Sequence, residues 1–260
     1  MGEDPANDGA RATFAAELIA LKHPQFTTLH LVGLDHNQHK FGPGTPEAHA
    51  TLESIDGMVG DLVAAARKAE PDLVVAIVSD HGFAPVEHDV NLMPAFVQAG
   101  LVTLDPKTGK PTAWEAEPWA AGGSAAVVLA RPDDAALKAK VKALLGTLAA
   151  DPANGIAQVI DAPAIVAAGG GKHPSFWIDL KIGYETGSHA TGPIVVTPGG
   201  NKGTHGYFPA HPEMRATFMI DGAGLARHGA LGEIDMRDIA PTLAKVLGVG
   251  LPQATGKPLF

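Results

Sequence analysis

Two apolar runs in the first third of the chain each end at an acidic residue. Leu73–Val78 has no polar member, which is typical of a strand buried on both faces of a parallel sheet that helices cover. An Asp–His–Gly sequence that begins at Asp80 follows this run. Thr28–Leu34 is also strand-like, and Asp35 comes directly after it. The pattern predicts two strands with acids at their carboxyl ends, the sheet edge where α/β proteins gather catalytic groups.

The segment between the two runs has a helical period. Apolar residues recur three and four positions apart, at Leu52, Ile55, Val59, Leu62, Val63 and Ala66. Thr45 is suited to cap this helix, Pro46 to occupy its first position and Pro71 to end it. Strand, helix and strand would form a βαβ unit with a right-handed crossover, which makes the strands parallel. We therefore expect Asp35 and Asp80 at one edge of one sheet.

Local patterns predict further elements outside this unit. Residues 1–9 form a polar leader, a helix covers Ala10–Lys22, and Ala84–Val90 is a loop. A second helix covers Asn91–Ala99, with Asn91 as its cap. The apolar residues that the first helix offers for burial are Phe14, Leu18, Ile19 and Leu21.

The chain changes character at Leu101, where prolines, glycines and two tryptophans interrupt the regular patterns. We expect residues 101–190 to form an inserted small α+β cap, and residues 1–100 and 191–260 to form the core. The strands predicted in the cap are Ala125–Ala130, Ile156–Ile160 and Phe176–Leu180, and its helices are Asp133–Ala150 and Ala162–Ala168. The predicted fold class is α/β, with a mostly parallel sheet flanked by helices.

Composition narrows the class of protein. With 260 residues, of which 45% are hydrophobic, the chain can bury a large core. Its 19 basic and 28 acidic residues give a formal charge of −9, which disfavours a nucleic-acid surface or an anionic membrane surface. The absence of cysteine excludes thiolate metal sites and cysteine nucleophiles. The sequence shows neither a signal peptide nor a membrane segment, so the chain is cytoplasmic as written, and its localisation is left unknown.

The candidate chemistry lies in acids and imidazoles next to strand ends and in a glycine-rich loop. The candidate metal ligands are Asp35, His39, Asp80, His81 and His205. Oxygen and imidazole ligands suit zinc, manganese or iron, and two such ions about 3.5–4 Å apart would hold a phosphoryl group. Alternatively, an Asp–His pair after a strand is a helix cap beside an incidental histidine. The repetition of the pattern favours a metal site.

Three motifs of the chain resemble a known family. Asp35–Pro43, Ser79–Phe83 and Gly203–Pro209 are similar, in this order, to the metal motifs of type I phosphodiesterase/nucleotide pyrophosphatase proteins of the alkaline phosphatase superfamily. The resemblance implies two divalent metal ions, for which zinc fits best, and a small phosphate-ester or nucleotide substrate. It assigns one ion to Asp35, His39 and His205, and the other to Asp80 and His81. Members of the family are often exported.

The resemblance also implies a segment that this sequence does not show. Family members begin with a strand that ends in a metal-binding aspartate and with a helix headed by a threonine or serine nucleophile. We find no counterpart before Asp35, so we expect a chain that is truncated at its amino end, with its catalytic nucleophile unknown. The expected function is metal-dependent hydrolysis of phosphoric esters. The alternatives are a non-catalytic metal- or phosphate-binding remnant and the related chemistry of sulfatases or phosphomutases.

Overall fold

The computed structural model of the chain describes residues 5–225 and 229–260. These residues form two compact units. The first unit contains the described residues of Met1–Val32, Glu53–Val78 and Phe218–Phe260. The second unit contains Gly33–Leu52 and Ser79–Thr217. The division into a core and a cap at residues 101–190 stays a prediction.

The described residues form seven α-helices and twelve strands. The helices are α1 (Asp8–Lys22), α2 (Gly33–Phe41), α3 (Pro46–Ala69), α4 (Met93–Gln98), α5 (Ala135–Ala150), α6 (Ala162–Ala167) and α7 (Ile239–Val246). The strands are β1 (Val75–Val78), β2 (Ala84–Val90), β3 (Val102–Leu104), β4 (Pro111–Trp114), β5 (Ala116–Ala120), β6 (Ser124–Leu129), β7 (Ile156–Asp161), β8 (Phe176–Leu180), β9 (Gly183–Thr186), β10 (Val195–Val196), β11 (Gly203–Thr204) and β12 (Phe218–Asp221). None of the described helices combines the length and apolar character that crossing a membrane requires.

Two sheets organise the second unit. In the first, β2 pairs antiparallel with β10 and β11 and parallel with β9, so this sheet is mixed. In the second, β5, β6, β8 and β7 are adjacent in that order and all pairs are antiparallel. Helix α5 packs against β7, and α6 packs against β7 and β8. The α/β class is confirmed, with a mixed sheet.

Alternate side chains of β8 and one face of helix α5 form the core of the second unit. Phe176, Ile178 and Leu180 of β8 are buried and join one apolar cluster. Side chains one helical turn apart on α5, including Val141 and Leu145, join the same cluster. The two intervening residues of β8 point to the opposite face of the sheet. Asp134 caps α5 by accepting a hydrogen bond from the backbone N–H of Leu137 at 3.0 Å.

The βαβ unit predicted at the start of the chain is wrong in its first strand. Residues 28–32 lie in neither a helix nor a strand, and Gly33 begins α2. Asp35 lies in the first turn of α2 and His39 in its last turn. The negative charge of Asp35 suits the positive amino end of a helix and the positive charge of Lys40 suits its carboxyl end, so a helix is favoured over a continued strand. Asp35 therefore does not end a strand.

The interior position and parallel pairing predicted for Leu73–Val78 are also wrong. β1 pairs antiparallel with β12, and its two last residues, Ile77 and Val78, are exposed to 40% and 46%. An apolar run fixes neither the partner nor the direction of a strand, since both depend on distant segments. The intervening helix is confirmed as α3, and the hydroxyl of Thr45 accepts a hydrogen bond from the N–H of Ala48 at 3.3 Å.

Several local predictions need correction. Ala84–Val90 is not a loop but strand β2. Its two end residues and Val86 are buried, and the residues between them are more exposed. Asn91 does not cap α4, since its side chain accepts a hydrogen bond from the N–H of His189. Helix α1 begins at Asp8 within the predicted leader, of which residues 1–4 lie outside the described residues. Of the residues expected to be buried on α1, Ile19 is buried, whereas Phe14, Leu18 and Leu21 are exposed.

The elements predicted between residues 124 and 180 are confirmed within a few positions. They are β6, α5, β7, α6 and β8. Each has a strong local signal, either an apolar run between turn residues or a helical period that follows an aspartate cap.

We expect that Leu145→Ala lowers the free energy of unfolding by about 2–5 kcal/mol, because it leaves a cavity in the core. Leu145 is only 1% exposed. Denaturant unfolding followed by circular dichroism measures the change. Lys142→Ala, on the exposed face of the same helix, is the control and should have little effect. Equal effects of the two substitutions would contradict the packing described for α5.

Candidate metal centre

Helix α2 brings Asp35 and His39 together. The two residues are four positions apart and therefore lie one above the other on one face of the helix. Nε2 of His39 is 3.6 Å from Oδ1 of Asp35. Nδ1 of His39 lies 2.9 Å from the carbonyl oxygen of Gly203, which can only accept a hydrogen bond. This contact places the proton of the neutral imidazole on Nδ1 and leaves the lone pair of Nε2 facing Asp35.

The segment that follows β1 carries Asp80 and His81. Ser79 is held by two hydrogen bonds with the backbone of Thr217, and the N–H of Gly82 donates to the carbonyl of Met214 at 3.1 Å. A Cβ atom at position 82 would overlap the backbone carbonyl of Glu213, so only glycine fits there. Strand β1 ends at Val78, and Gly82 allows the segment that follows to approach the backbone of Glu213 closely.

His81 is oriented toward the same carboxylate as His39. Its Nδ1 lies 3.0 Å from the carbonyl oxygen of Gly82, which leaves Nε2 free to face the site. Nε2 is 4.0 Å from Oδ1 of Asp35 and 3.4 Å from Oδ2 of Asp80. The side chain of Asp80 is 77% exposed, so it lies at the open side of the cluster.

The glycine-rich loop supplies His205. The preceding strand β11 pairs with β2, and the carbonyl oxygen of His205 accepts a hydrogen bond from the N–H of Gly123 at 2.7 Å. Gly206 has a φ of 81°, and a Cβ atom there would overlap the carbonyl of Ala121. The loop can therefore approach this neighbouring backbone only through glycine. Nε2 of His205 is 3.5 Å from Oδ1 of Asp35.

Ring contacts hold the imidazoles. The rings of His81 and His205 stack with their centroids 3.6 Å apart and an angle of 10° between their planes. Phe83 contacts the rings of His39 and His205 at its edge. Burial lowers the pKa of His205 below its ordinary value, and the neighbouring His81 lowers it further, against the opposing effect of Asp35. These effects favour the neutral imidazole, which is the form that binds a metal.

The three imidazoles converge on one carboxylate oxygen. Oδ1 of Asp35 is buried and has no hydrogen-bond partner among the residues that the structure describes. The distances of 3.5–4.0 Å from the three Nε2 atoms are longer than hydrogen bonds. They approach the separation of roughly 3.3 Å between two ligands of one tetrahedral zinc ion with bonds of about 2.0–2.1 Å. The ligand atoms of Asp35, His39 and His205 lie within 4.8 Å of one another. The donor set and the unpaired oxygen therefore fit a divalent cation.

The structure thus brings together all of the residues predicted to bind metal. Asp35, His39, His81 and His205 face one another, and Asp80 joins them through His81. Their assignment as metal ligands stays a prediction.

Sequence reasoning missed two groups at this site. The carbonyl of Gly203 orients His39, and the ring of Phe83 packs against the imidazoles. Phe83 has a sequence signal, because an aromatic residue directly follows the Asp–His–Gly motif. A backbone carbonyl has none.

The chain is similar in fold to solved structures of an ectonucleotide pyrophosphatase/phosphodiesterase and of a phosphonoacetate hydrolase. It belongs to the type I phosphodiesterase/nucleotide pyrophosphatase family, whose sequence model matches residues 3–208. Comparison with curated protein sequences gave no significant match.

Solved structures support the same fold. Human ectonucleotide pyrophosphatase/phosphodiesterase 5 matches with a TM-score of 0.70 and 17% identity, over 96% of this chain and 61% of that chain. An inactive variant of the murine protein in complex with AMP matches with a TM-score of 0.71 and 17% identity, over the same shares. Phosphonoacetate hydrolase from Sinorhizobium meliloti, in complex with phosphonoacetate, matches with a TM-score of 0.57 and 16% identity, over 84% of this chain and 51% of that chain. The chain thus spans about three-fifths of the length of the first two relatives.

We expect the metal-free protein to lose stability as the pH falls below about 6.5, the ordinary pKa of histidine. Because the pKa of His205 is lowered in the folded state, the unfolded state binds more protons in this range. Denaturant unfolding in the presence of a chelator, at several values between pH 5 and 8, measures the slope. His205→Asn should flatten the curve, whereas His173→Asn, which changes an exposed histidine, should not. Identical curves for the wild type and His205→Asn would contradict this assignment.

Proposed function

We propose that this chain carries the metal-binding centre of a hydrolase that cleaves phosphoric esters. The observation that supports this most strongly is the convergence of three imidazole nitrogens on the unpaired Oδ1 atom of Asp35. The residues of this centre stand in the motifs of a family named for phosphodiesterase and nucleotide pyrophosphatase activity. Zinc is the ion that suits a set of imidazole and carboxylate ligands best.

Each residue would have a separate role. Asp35, His39 and His205 would hold one ion, and Asp80 and His81 a second. Divalent zinc supplies a Lewis acid that neutralises charge on a phosphoryl oxygen. Asp35 places a negative charge at the centre of the cluster, and the carbonyls of Gly203 and Gly82 fix the ligand faces of His39 and His81. We assign the nucleophile to no residue of this chain.

The substrate we propose is a nucleotide or another small phosphate ester. A chain with a formal charge of −9 does not attract a phosphate through its overall charge, so cations bound locally would be needed. The murine relative is in complex with AMP, and the phosphonoacetate hydrolase is in complex with phosphonoacetate. Both ligands carry an anionic phosphorus group, which is the group that a pair of metal ions recognises.

We expect that His205→Ala weakens zinc binding by more than about 100-fold, because it removes a ligand rather than a group that orients one. Competition with a chromophoric chelator measures the affinity, and mass spectrometry of the native protein gives the number of ions. His173→Ala is the control, since this exposed histidine lies outside the cluster. Wild-type zinc affinity in the His205→Ala variant would overturn the proposed centre.

Turnover is tested separately with a p-nitrophenyl phosphodiester and with p-nitrophenyl phosphate. If the chain is catalytic, the zinc-loaded wild type should hydrolyse one of them faster than the His205→Ala variant does. Zinc binding without any such difference would contradict hydrolysis by this chain. It would favour the alternative of a metal-binding protein without turnover.

A further inference from the structure

A second cluster of polar residues lies on the antiparallel sheet of the second unit, around the buried carboxylate of Asp179. Asp179 is on β8, and only 1% of it is exposed. Its Oδ1 accepts a hydrogen bond from the N–H of Phe208 at 3.0 Å. Its Oδ2 lies 2.9 Å from Nε2 of His211 and 3.2 Å from Nε2 of Gln158. Two of its three donors therefore come from one short segment, residues 208–211.

This segment follows the loop that carries His205. Phe208 and the preceding residue, Tyr207, provide two further anchors, one on β8 of the same sheet and one on β9 of the mixed sheet. The ring of Phe208 packs edge-on against Trp177 of β8, with centroids 6.2 Å apart. The hydroxyl of Tyr207 donates a hydrogen bond to the carbonyl of Tyr184 at 2.7 Å. The chain just after His205 is thus fixed through side chains and through the Asp179 carboxylate.

His205 depends on its backbone more than the other two imidazoles do. His39 and His81 each have a carbonyl oxygen next to Nδ1 that fixes the direction of the ring. In the part of the chain that the structure describes, neither ring nitrogen of His205 makes a hydrogen bond, and its ring is held by the contacts with His81 and Phe83. Histidines that bind metals ordinarily have an acceptor for the second ring nitrogen. Without one, the position of the loop must set the position of the ligand.

We propose that Asp179 and His211 form a positioning pair, which fixes the loop of His205 and thereby sets the metal affinity of the centre. This inference rests on the proposed function, because it assumes that His205 binds the ion. A buried carboxylate is stable only when its oxygens are hydrogen-bonded, so the loss of the His211 donor would favour release of residues 208–211 from the sheet. His205 would then lose its place beside Asp35.

The test compares two substitutions at one position. His211→Leu removes the donor to Asp179, whereas the side-chain amide of His211→Gln can replace it. We expect His211→Leu to weaken zinc binding about tenfold, as loss of a group that orients a ligand does. His211→Gln should restore most of the affinity. If His211→Leu does not fold, His211→Ser, whose side chain is too short to reach Asp179, provides the same comparison.

Two controls separate positioning from a general loss of stability. Asp134→Ala removes the cap of α5 and should lower the thermal midpoint without changing the zinc affinity. Gln158→Leu removes a donor from Asp179 that comes from β7 and not from the loop, and it should also leave the affinity unchanged. The visible spectrum of the cobalt-loaded protein reports ligand geometry directly. It should change in His211→Leu and remain that of the wild type in both controls.

The outcomes distinguish this inference from the proposed function. If the wild type binds zinc and His211→Leu binds it equally well with an unchanged cobalt spectrum, the positioning pair is overturned while the metal centre stands. An equal loss of affinity in Gln158→Leu would also overturn it, because the effect would then not depend on the loop. If the wild type binds no zinc, the proposed function itself fails.

Discussion

The arrangement of the site depends on one atom, Oδ1 of Asp35, which is buried and has no hydrogen-bond partner among the described residues. A carboxylate oxygen that is removed from water and not hydrogen-bonded raises the free energy of the folded state. The three neighbouring Nε2 atoms lie too far from this oxygen to donate a hydrogen bond to it. The imidazoles of His39 and His205 face it at distances of 3.6 and 3.5 Å, which suit a shared cation, and that of His81 lies at 4.0 Å. The hydrogen bonds of His39 and His81 with backbone carbonyls, together with the lowered pKa of His205, keep the ring nitrogens available for that role.

The fold positions these groups through backbone contacts that require glycine. Gly82 and Gly206 each lie so close to a neighbouring carbonyl that a side chain would overlap it. The two short segments can therefore pass close to other parts of the backbone and present their histidines inward. The antiparallel sheet contributes through Asp179, which holds the end of the His205 loop. The close backbone contacts at the two glycines and the hydrogen bonds of the buried Asp179 carboxylate thus both help to position the histidines of the site.

The sequence predicted the residues of the site better than it predicted the elements that carry them. Asp80, His81 and His205 stand in compact motifs next to glycines, and their chemistry is visible without knowledge of the fold. The same chemistry marks Asp35 and His39, but the pattern predicts them after a strand, whereas the structure has them on α2. A short apolar run favours strand and helix almost equally, and distant pairing, such as that of β1 with β12, has no local signal. The contribution of Asp179 could not be predicted, because it depends on two segments that meet only in the folded chain.

The candidate ligands come from three stretches that are far apart along the chain, in α2, after β1 and after β11. An ion held by Asp35, His39 and His205 would link α2 to the segment after β11 and would close one long loop. Closing long loops restricts the unfolded chain, so occupancy would be coupled to folding as well as to chemistry. The resistance of this protein to proteolysis would then depend on the supply of metal in its surroundings.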